Sequence, residues 1–398
     1  MNRRLFLMNS NKLKFLLRDD FTDTLAAGSV NGTLATPGPG TRQVVDTENK
    51  LSVGSGNLVS AGGKATPEYG DPGFWLINPV TRLYGQILMY QILNTGVSGL
   101  VKYGFDANLV KNITTNTFLR QSNGTTLADS GGSARFVATA ETTWLAFVLR
   151  TAGIYAFIKG AVSTGGVWKL IYLEGADTTT PLYVSSHIYS SNAPVSSIRV
   201  PLSRFPIAVL AYDAFTRAAL GSTEATGPDS QAAPALAWTN QVGTVAISGN
   251  KAIATVVPVD RAICTVPLGT ANHIVSAALV KGTTGAGIIL RYQDVDNYVY
   301  CWHNGTNLQL VKRVAGVETA LVDTAATYAA GRVIYAVSDG TSGEAFYYDI
   351  KIGATQTIPA STYTPCGLIF FDTDSTLDIF TAYARGNEGQ YSMLDKYI

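Results

Sequence analysis

Charge is scarce in this chain. Lysine, arginine, aspartate and glutamate make up 14% of its 398 residues, against about 25% in an average soluble domain. Disorder is not implied, because it goes with low hydrophobicity and this chain is 46% apolar. A net charge of +1 leaves no global field to draw nucleic acid or an anionic membrane. Cysteine is limited to Cys264, Cys301 and Cys366. An odd number without a Cys-x-x-Cys excludes a paired disulfide framework and a zinc knuckle, and leaves buried thiols. The three histidines, His187, His273 and His303, show no metal-ligand spacing and are expected to be structural. No Gly-x-Ser-x-Gly elbow is present. The Gly282–Gly287 stretch lacks the Lys-Ser/Thr of a phosphate loop and reads as a hairpin loop. No apolar run approaches the ~20 residues of a membrane-spanning helix. The apolar stretch Leu5–Met8 is cut by Asn9–Lys12, short of the ~7–15 residues of a secretory core. The expected way out of the cell is therefore another one, such as release inside a virus particle at lysis.

What remains is a hydroxyl- and glycine-rich β pattern. In the second half, Ile253–Val257, Ile274–Val280, Gly287–Tyr292, Tyr298–His303, Leu308–Val314, Val333–Ser338, Ala345–Ile352, Leu368–Phe371 and Leu377–Ala384 are β-branched or aromatic, bounded by turn residues. Asn304-Gly305 is a type I′ hairpin signal and Asp339-Gly340 a second hairpin candidate. Thr319–Ala330 reads as a loop or a single turn. In the first half, Gly85–Asn94, Leu145–Arg150, Tyr155–Lys159, Trp168–Leu173, Leu182–His187 and Val195–Val200 follow the same pattern.

An internal repeat organises these strands. Leu17-Arg18-Asp19-Asp20-Phe21-Thr22-Asp23 matches Leu210-Ala211-Tyr212-Asp213-Ala214-Phe215-Thr216-Arg217 when Asp19 is set on Asp213. Each opening leads through a Gly/Pro/Thr-rich loop to a short strand and a Gly/Asn turn, at Lys50–Gly54 and Thr244–Asn250. The expected fold is all-β: two tandem antiparallel β-sandwiches over residues 15–207 and 208–398, behind a short basic arm over residues 1–14. Pro201 and Pro206 bracket the Leu202–Phe205 connector. The arm carries Arg3, Arg4, Lys12 and Lys14 and no acid, whereas residues 208–398 hold 11 basic and 16 acidic side chains, a net of −5.

The run Gly287-Ile288-Ile289-Leu290-Arg291-Tyr292-Gln293-Asp294-Val295-Asp296-Asn297-Tyr298-Val299-Tyr300, with the hairpin Leu308–Val317 after it, resembles the jelly rolls of the concanavalin A-like lectin/glucanase superfamily. The likeness spans nearly all of residues 208–398 and reaches residues 15–207 through the repeat. It implies that the opening strand around Asp213–Arg217 pairs with the closing strand Leu377–Ala384. The stretch Arg18–Val53, with its Thr36-Pro37-Gly38-Pro39-Gly40-Thr41-Arg42 loop, looks like structural proteins of tailed bacteriophages. That second likeness implies a virion component.

Several side-chain groups are candidates for chemistry. A glucanase-type jelly roll needs carboxylates at period-2 spacing on one strand, and no Glu-x-Asp-x-x-Glu is present; no enzyme is expected. Asp294, Asp296 and Asn297, or Asp372 and Asp374 with Asp378 nearby, lie in turns. They offer hard oxygens for calcium, or stand there as solvated turn residues. Tyr298, Tyr300, Trp302 and Asn304 alternate along one strand and share a face, as do Tyr347 and Asp349, with Phe346 and Tyr348 opposite. Such a face is either core or a carbohydrate platform. Asn31, Asn112, Asn123 and Asn304 head Asn-x-Thr triplets that matter only in a eukaryotic secretory pathway.

Two functions follow as expectations. The first is a non-catalytic structural part of a phage particle, in the tail or decorating the capsid, with other virion proteins and copies of itself as partners. The second is a glycan-binding adhesin. Neither involves nucleic acid or membrane; a polysaccharide hydrolase ranks third. If the arm docks onto a neighbouring subunit, deleting residues 1–14 abolishes assembly in light scattering while both domains stay folded; unchanged assembly refutes that role.

Overall fold

The computed structural model describes residues 15–36, 41–46, 49–61, 73–75, 86–93, 101–106, 117–121, 126–128, 134–150, 153–174, 183–188, 195–201, 209–227, 232–348, 350–359, 363–385, 391, 394–395 and 398. Outside them lie Arg3, Arg4, Lys12 and Lys14 of the arm, the Leu202–Phe205 connector, Asn112, Asn123 and Asp349. Two compact units form, Met1–Pro206 with Tyr391–Ile398, and Ile207–Gln390.

The first unit holds β1 (Phe15–Asp19), β2 (Gln43–Val45), β3 (Leu51–Gly54), β4 (Asn57–Ser60), β5 (Gly73–Trp75), β6 (Gln86–Leu93), β7 (Val101–Asp106), β8 (Thr117–Gln121), β9 (Thr126–Ala128), β10 (Ala134–Val137), β11 (Thr142–Arg150), β12 (Gly153–Gly160), β13 (Lys169–Glu174), β14 (Tyr183–Ile188) and β15 (Val195–Pro201). The second holds β16 (Val209–Asp213), β17 (Thr239–Val242), β18 (Thr244–Ser248), β19 (Lys251–Val256), β20 (Ala262–Pro267), β21 (His273–Val280), β22 (Ala286–Asp294), β23 (Asn297–His303), β24 (Asn307–Val314), β25 (Val317–Ala325), β26 (Arg332–Asp339), β27 (Ser342–Tyr347), β28 (Ile350–Thr357), β29 (Pro365–Phe370) and β30 (Thr376–Ala384).

Each unit is a sandwich of two antiparallel sheets of the jelly-roll type. In the first, one sheet runs β13-β12-β11-β6-β15-β4-β3 with β1 also on β15, and the other runs β10-β9-β8-β7-β14-β5-β2. In the second, the orders are β28-β27-β26-β21-β30-β19-β18 with β16 on β30, and β25-β24-β23-β22-β29-β20-β17. Every position in one unit is filled in the other by the strand fifteen places later. The faint sequence repeat is thus a strand-for-strand duplication.

The best-matched residues of the repeat do the same job twice. Asp19 and Asp213 are fully buried at the ends of β1 and β16. Each accepts the backbone N–H of the phenylalanine two residues on, Phe21 at 3.1 Å and Phe215 at 2.8 Å. Both phenylalanines are buried at positive φ, 49° and 54°, a costly conformation for a bulky residue that the carboxylate fixes. Different cations hold the two aspartates. Arg42, itself fully buried, donates to Asp19 through Nε at 2.6 Å and Nη2 at 2.8 Å and also reaches Asp23. Arg217 makes a bidentate pair with Asp213 at 2.7 Å, joined by Trp238 Nε1 at 2.7 Å. The short hairpins also match: β3–β4 and β18–β19 close through Ser55-Gly56 and Gly249-Asn250, with both loop residues at positive φ in each, as a type I′ turn requires.

Several elements differ from the pattern reading. Only the end of Thr319–Ala330 is a loop: Val317–Ala325 forms β25, the edge of its sheet, and Ala326–Ala330 follows it outside any strand. Its side chains are mostly exposed, so the burial alternation that marks a strand is missing from the sequence. Ala345–Ile352 is two strands, broken at Tyr348, which takes φ 55°. The Asn304-Gly305 turn has only Gly305 at positive φ and so is not type I′, whereas Asp339-Gly340 does open a two-residue hairpin loop. The second unit ends at Gln390 rather than 398. The last residues belong to the first unit, where Tyr391 packs on Phe157 with centroids 4.7 Å apart and Asp395 accepts Trp168 Nε1 at 2.9 Å.

Replacing Asp19 by alanine strips a buried guanidinium of its main partner, and loss of one side of such a pair costs about 3–5 kcal/mol. A matching fall in the first transition of a denaturant melt is expected; an unchanged midpoint refutes the role. Acid acts on the second unit. His273 is fully buried, and burial drives its pKa from the usual 6.5 down to about 4, outweighing the Thr270 and Leu290 carbonyls that face its ring nitrogens. The unfolded chain therefore binds the extra proton first. Stability is fully present above pH 6.5 and falls as pH drops towards 4, a slope that His273→Gln should flatten in urea melts at stepped pH.

Candidate functional site

Strand β23 is apolar on both faces, and from that the site follows. Val299 and Cys301 point into the sandwich core with Ile288, Leu290, Leu310 and Leu368. Tyr298, Tyr300 and Trp302 take the opposite face by alternation. There they join Ile263, Ile289, Tyr292, Val311 and Ile369 in a second apolar layer, with Val242 and Phe371 at its border. A bulge in β22 between Ile289 and Arg291 brings Tyr292 opposite Tyr298 on this face. The rings form a continuous row: Tyr292–Tyr298 5.9 Å, Tyr298–Tyr300 5.6 Å, Tyr300–Phe371 5.8 Å and Phe371–Trp302 4.3 Å between centroids.

Glycine lets the strand bearing Trp302 come close. Gly287 lies opposite Trp302 across β22–β23, and a Cβ there would stand 2.5 Å from Trp302 Cβ and 2.1 Å from the Cys301 carbonyl. Trp302 is fixed by its own N–H as well, donating to Gln309 Oε1 at 2.8 Å across the β23–β24 pair. Gln309 in turn hydrogen-bonds Asp323, which with Asn307 lowers that carboxyl's pKa.

A cleft of 340 Å³ opens over this face. Its floor is Tyr300, Trp302 and Val311; Phe371, Asp260 and Arg261 form one wall and Gln309, Glu318 and Ala320 the other. Arg261 ties the walls together. It donates to both oxygens of Asp260, to the Tyr298 hydroxyl and to Glu318. Those carboxylates raise its pKa further, and its hydrogen bonds in turn lower that of Asp260. Burial raises the Tyr300 phenol, with Glu318 adding to the effect. The cleft is therefore a half-buried aromatic floor under a rim of ionised oxygen acceptors.

The expected site residues divide. Tyr298, Tyr300 and Trp302 do share the outer face, but the two tyrosines are only 3% and 2% exposed, so Trp302 is the accessible one of the three. Asn304 lies past the strand end, where its Oδ1 caps the N–H groups of Thr306 and Asn307 at 2.9 and 2.8 Å. Tyr347 is core, its hydroxyl on Ala329, and Phe346 stacks on Tyr335 at 4.4 Å. Phe371, Gln309, Glu318, Asp260 and Arg261 were not singled out from sequence. Gln309 was out of reach as well, since a two-residue Asn304-Gly305 turn sets Asn307 opposite Trp302, whereas the chain turns over Asn304–Asn307 and brings Gln309 there; Glu318 was hidden by the misread edge strand.

The turn carboxylates serve the backbone. Asp294 accepts Asp296 N at 2.8 Å and Asn297 Nδ2 at 2.9 Å, and Asn297 Oδ1 accepts Ala315 N. Asp296 faces Arg313 at 3.5 Å. Asp372 accepts Gly285 N and Ser375 N, and Asp374 accepts the Thr283 hydroxyl. Among the described residues no group of three or more His, Cys, Asp or Glu side chains could hold a metal. The oxygens named for calcium are engaged here with turn N–H groups and neighbouring side chains. His273 and His303 are buried with backbone partners, and the three cysteines are free and buried.

No protein-family model matches the chain, and no curated protein matches it. Solved structures overlap it loosely. A carbohydrate-binding module, CBM66 from Bacillus subtilis, is 11% identical at a TM-score of 0.33, over 37% of this chain and 95% of that one. The GH43 protein BlXynB of Bacillus licheniformis, in a mutant form, is 13% identical at 0.29, over 87% and 75%. The exoplasmic domain of VIP36 in its Ca2+/Man3GlcNAc-bound form is 11% identical at 0.28, over 42% and 83%. Overlaps this loose do not bear on what the chain binds.

Proposed function

We propose that the second unit binds carbohydrate in the cleft over β23. The observation that carries this reading is the half-buried Trp302–Phe371 pair set beside a fixed amide and two ionised carboxylates. A sugar ring has apolar C–H faces and hydroxyl edges, so it needs a flat aromatic surface with acceptors at its margin. Aromatic side chains with a few convergent polar groups are the usual makings of a small-ligand site. At 340 Å³ the cleft is near the lower end of the ~300–1,000 Å³ range of such sites, a size for one or two rings.

Binding rather than cleavage suits the electrostatics. Glycoside hydrolysis needs one carboxyl held protonated as an acid, whereas Asp260 is pulled below its usual range by Arg261 and Glu318 is paired to the same guanidinium. Because Arg261 supplies the countercharge, binding should also survive removal of divalent ions. Of the two roles open from sequence, the adhesin takes precedence because the aromatic cleft supplies it with a site. Of the features behind the virion role, the arm residues Arg3, Arg4, Lys12 and Lys14 lie outside the described residues. Either a particle or a cell surface could display the cleft.

A panel of soluble oligosaccharides titrated by calorimetry tests the proposal. At least one should bind, EDTA should leave its affinity unchanged, and Trp302→Ala should weaken it at least tenfold while circular dichroism and the melt stay those of a folded protein. A folded Trp302→Ala protein with undiminished binding rules the cleft out.

A further inference from the structure

Resting on that carbohydrate-binding reading, we infer that the cleft selects uncharged sugar rings and rejects sugar acids, because its cation is already consumed. Recognition of a uronate or sialate carboxylate calls for a free guanidinium or ammonium, ideally a bidentate one. Arg261 is the cation lining the cleft, and its guanidinium makes four hydrogen bonds inside the protein. Asp260 takes Nε and Nη2; Glu318 and the Tyr298 hydroxyl take Nη1. Only about a tenth of the Arg261 side chain is exposed, against 57% of Asp260 and 34% of Glu318. The ligand therefore meets the oxygens and not the charge behind them.

The neighbouring cation is no freer. Arg313 lies 3.6 Å from Glu318, but its Nε donates to the Val295 carbonyl at 3.1 Å and Nη2 faces Asp296. Gln309 is also committed, its oxygen to Trp302 and its amide towards Asp323. An acceptor-rich rim of this kind receives hydrogen bonds from ligand hydroxyls. A ligand carboxylate placed there would face two carboxylates at close range and lose its water without gaining a donor.

Matched pairs of oligosaccharides test this by calorimetry: galacto-oligomers against oligogalacturonates, gluco- against glucurono-oligomers, and manno- against mannurono-oligomers. The neutral member of a binding pair should have at least a tenfold lower Kd, and the gap should narrow at about 1 M salt, where the Debye length falls to ~3 Å. Releasing Arg261 should reverse the bias: in the double variant Asp260→Asn, Glu318→Gln the acid-to-neutral affinity ratio should rise at least tenfold. Glu318→Gln alone, on an exposed edge strand, gives the same direction if the double variant melts early. Uronates that bind the natural chain as tightly as neutral partners overturn the inference and leave the carbohydrate reading standing. A ratio that fails to move in the folded variants overturns it too. If no member of either series binds, the carbohydrate reading itself falls and takes this inference with it.

Discussion

A carboxylate buried beside a strained phenylalanine fixes each half of this chain. Asp19 and Asp213 each sit with no solvent exposure at the end of the strand that enters the sandwich, and each caps the N–H of a phenylalanine at positive φ. Such a group is tolerable in an apolar interior only when paired and fully hydrogen-bonded. The two units meet that demand differently, with Arg42 reaching back across a loop in the first and Arg217 and Trp238 in the second. The partners differ while the aspartate and phenylalanine persist, which is why the repeat is faint in sequence and complete in strand order.

With the entry strand fixed, the closing strands β15 and β30 pair against it and the sheets build outward in the same order in both units. The site depends on what one of these sheets does with its second face. A sandwich needs only one apolar face per sheet. The sheet containing β23 has two, and the extra face is only partly covered. Tyr298 and Tyr300 are buried, with Arg261 donating to the Tyr298 hydroxyl, while Trp302 and Phe371 at the border stay half-open. Gly287 contributes by having no side chain, which lets the Trp302 backbone and Cβ approach closely across the strand pair.

Much of this was legible before any coordinates. The positions of β19 and of β21 to β24 followed from β-branched and aromatic runs, while β20 (Ala262–Pro267) was not read as a strand; Tyr298, Tyr300 and Trp302 were placed on one face by period-2 spacing. Asn304 was assigned to the same face because spacing continues through a turn on paper, whereas the real chain leaves the strand at His303. Asp294, Asp296, Asp372 and Asp374 read as candidate ligands because turn capping and metal binding draw on the same residue types; the structure adds the turn N–H groups that Asp294 and Asp372 accept. Edge strand β25 was missed because a strand exposed on most of its length carries no burial alternation to read.

The sequence by itself determined the all-β class, the duplication and the two-faced character of β23, because alternation and turn chemistry are local and survive without knowledge of partners. Only the tertiary structure decided which face of β23 met the core, since a period of two defines two faces and is silent on which one is covered. It alone brought Asp260, Arg261, Gln309, Glu318 and Phe371 around Trp302. Those residues come from separate strands or their flanks, and their meeting depends on sheet order and register, which are long-range pairings.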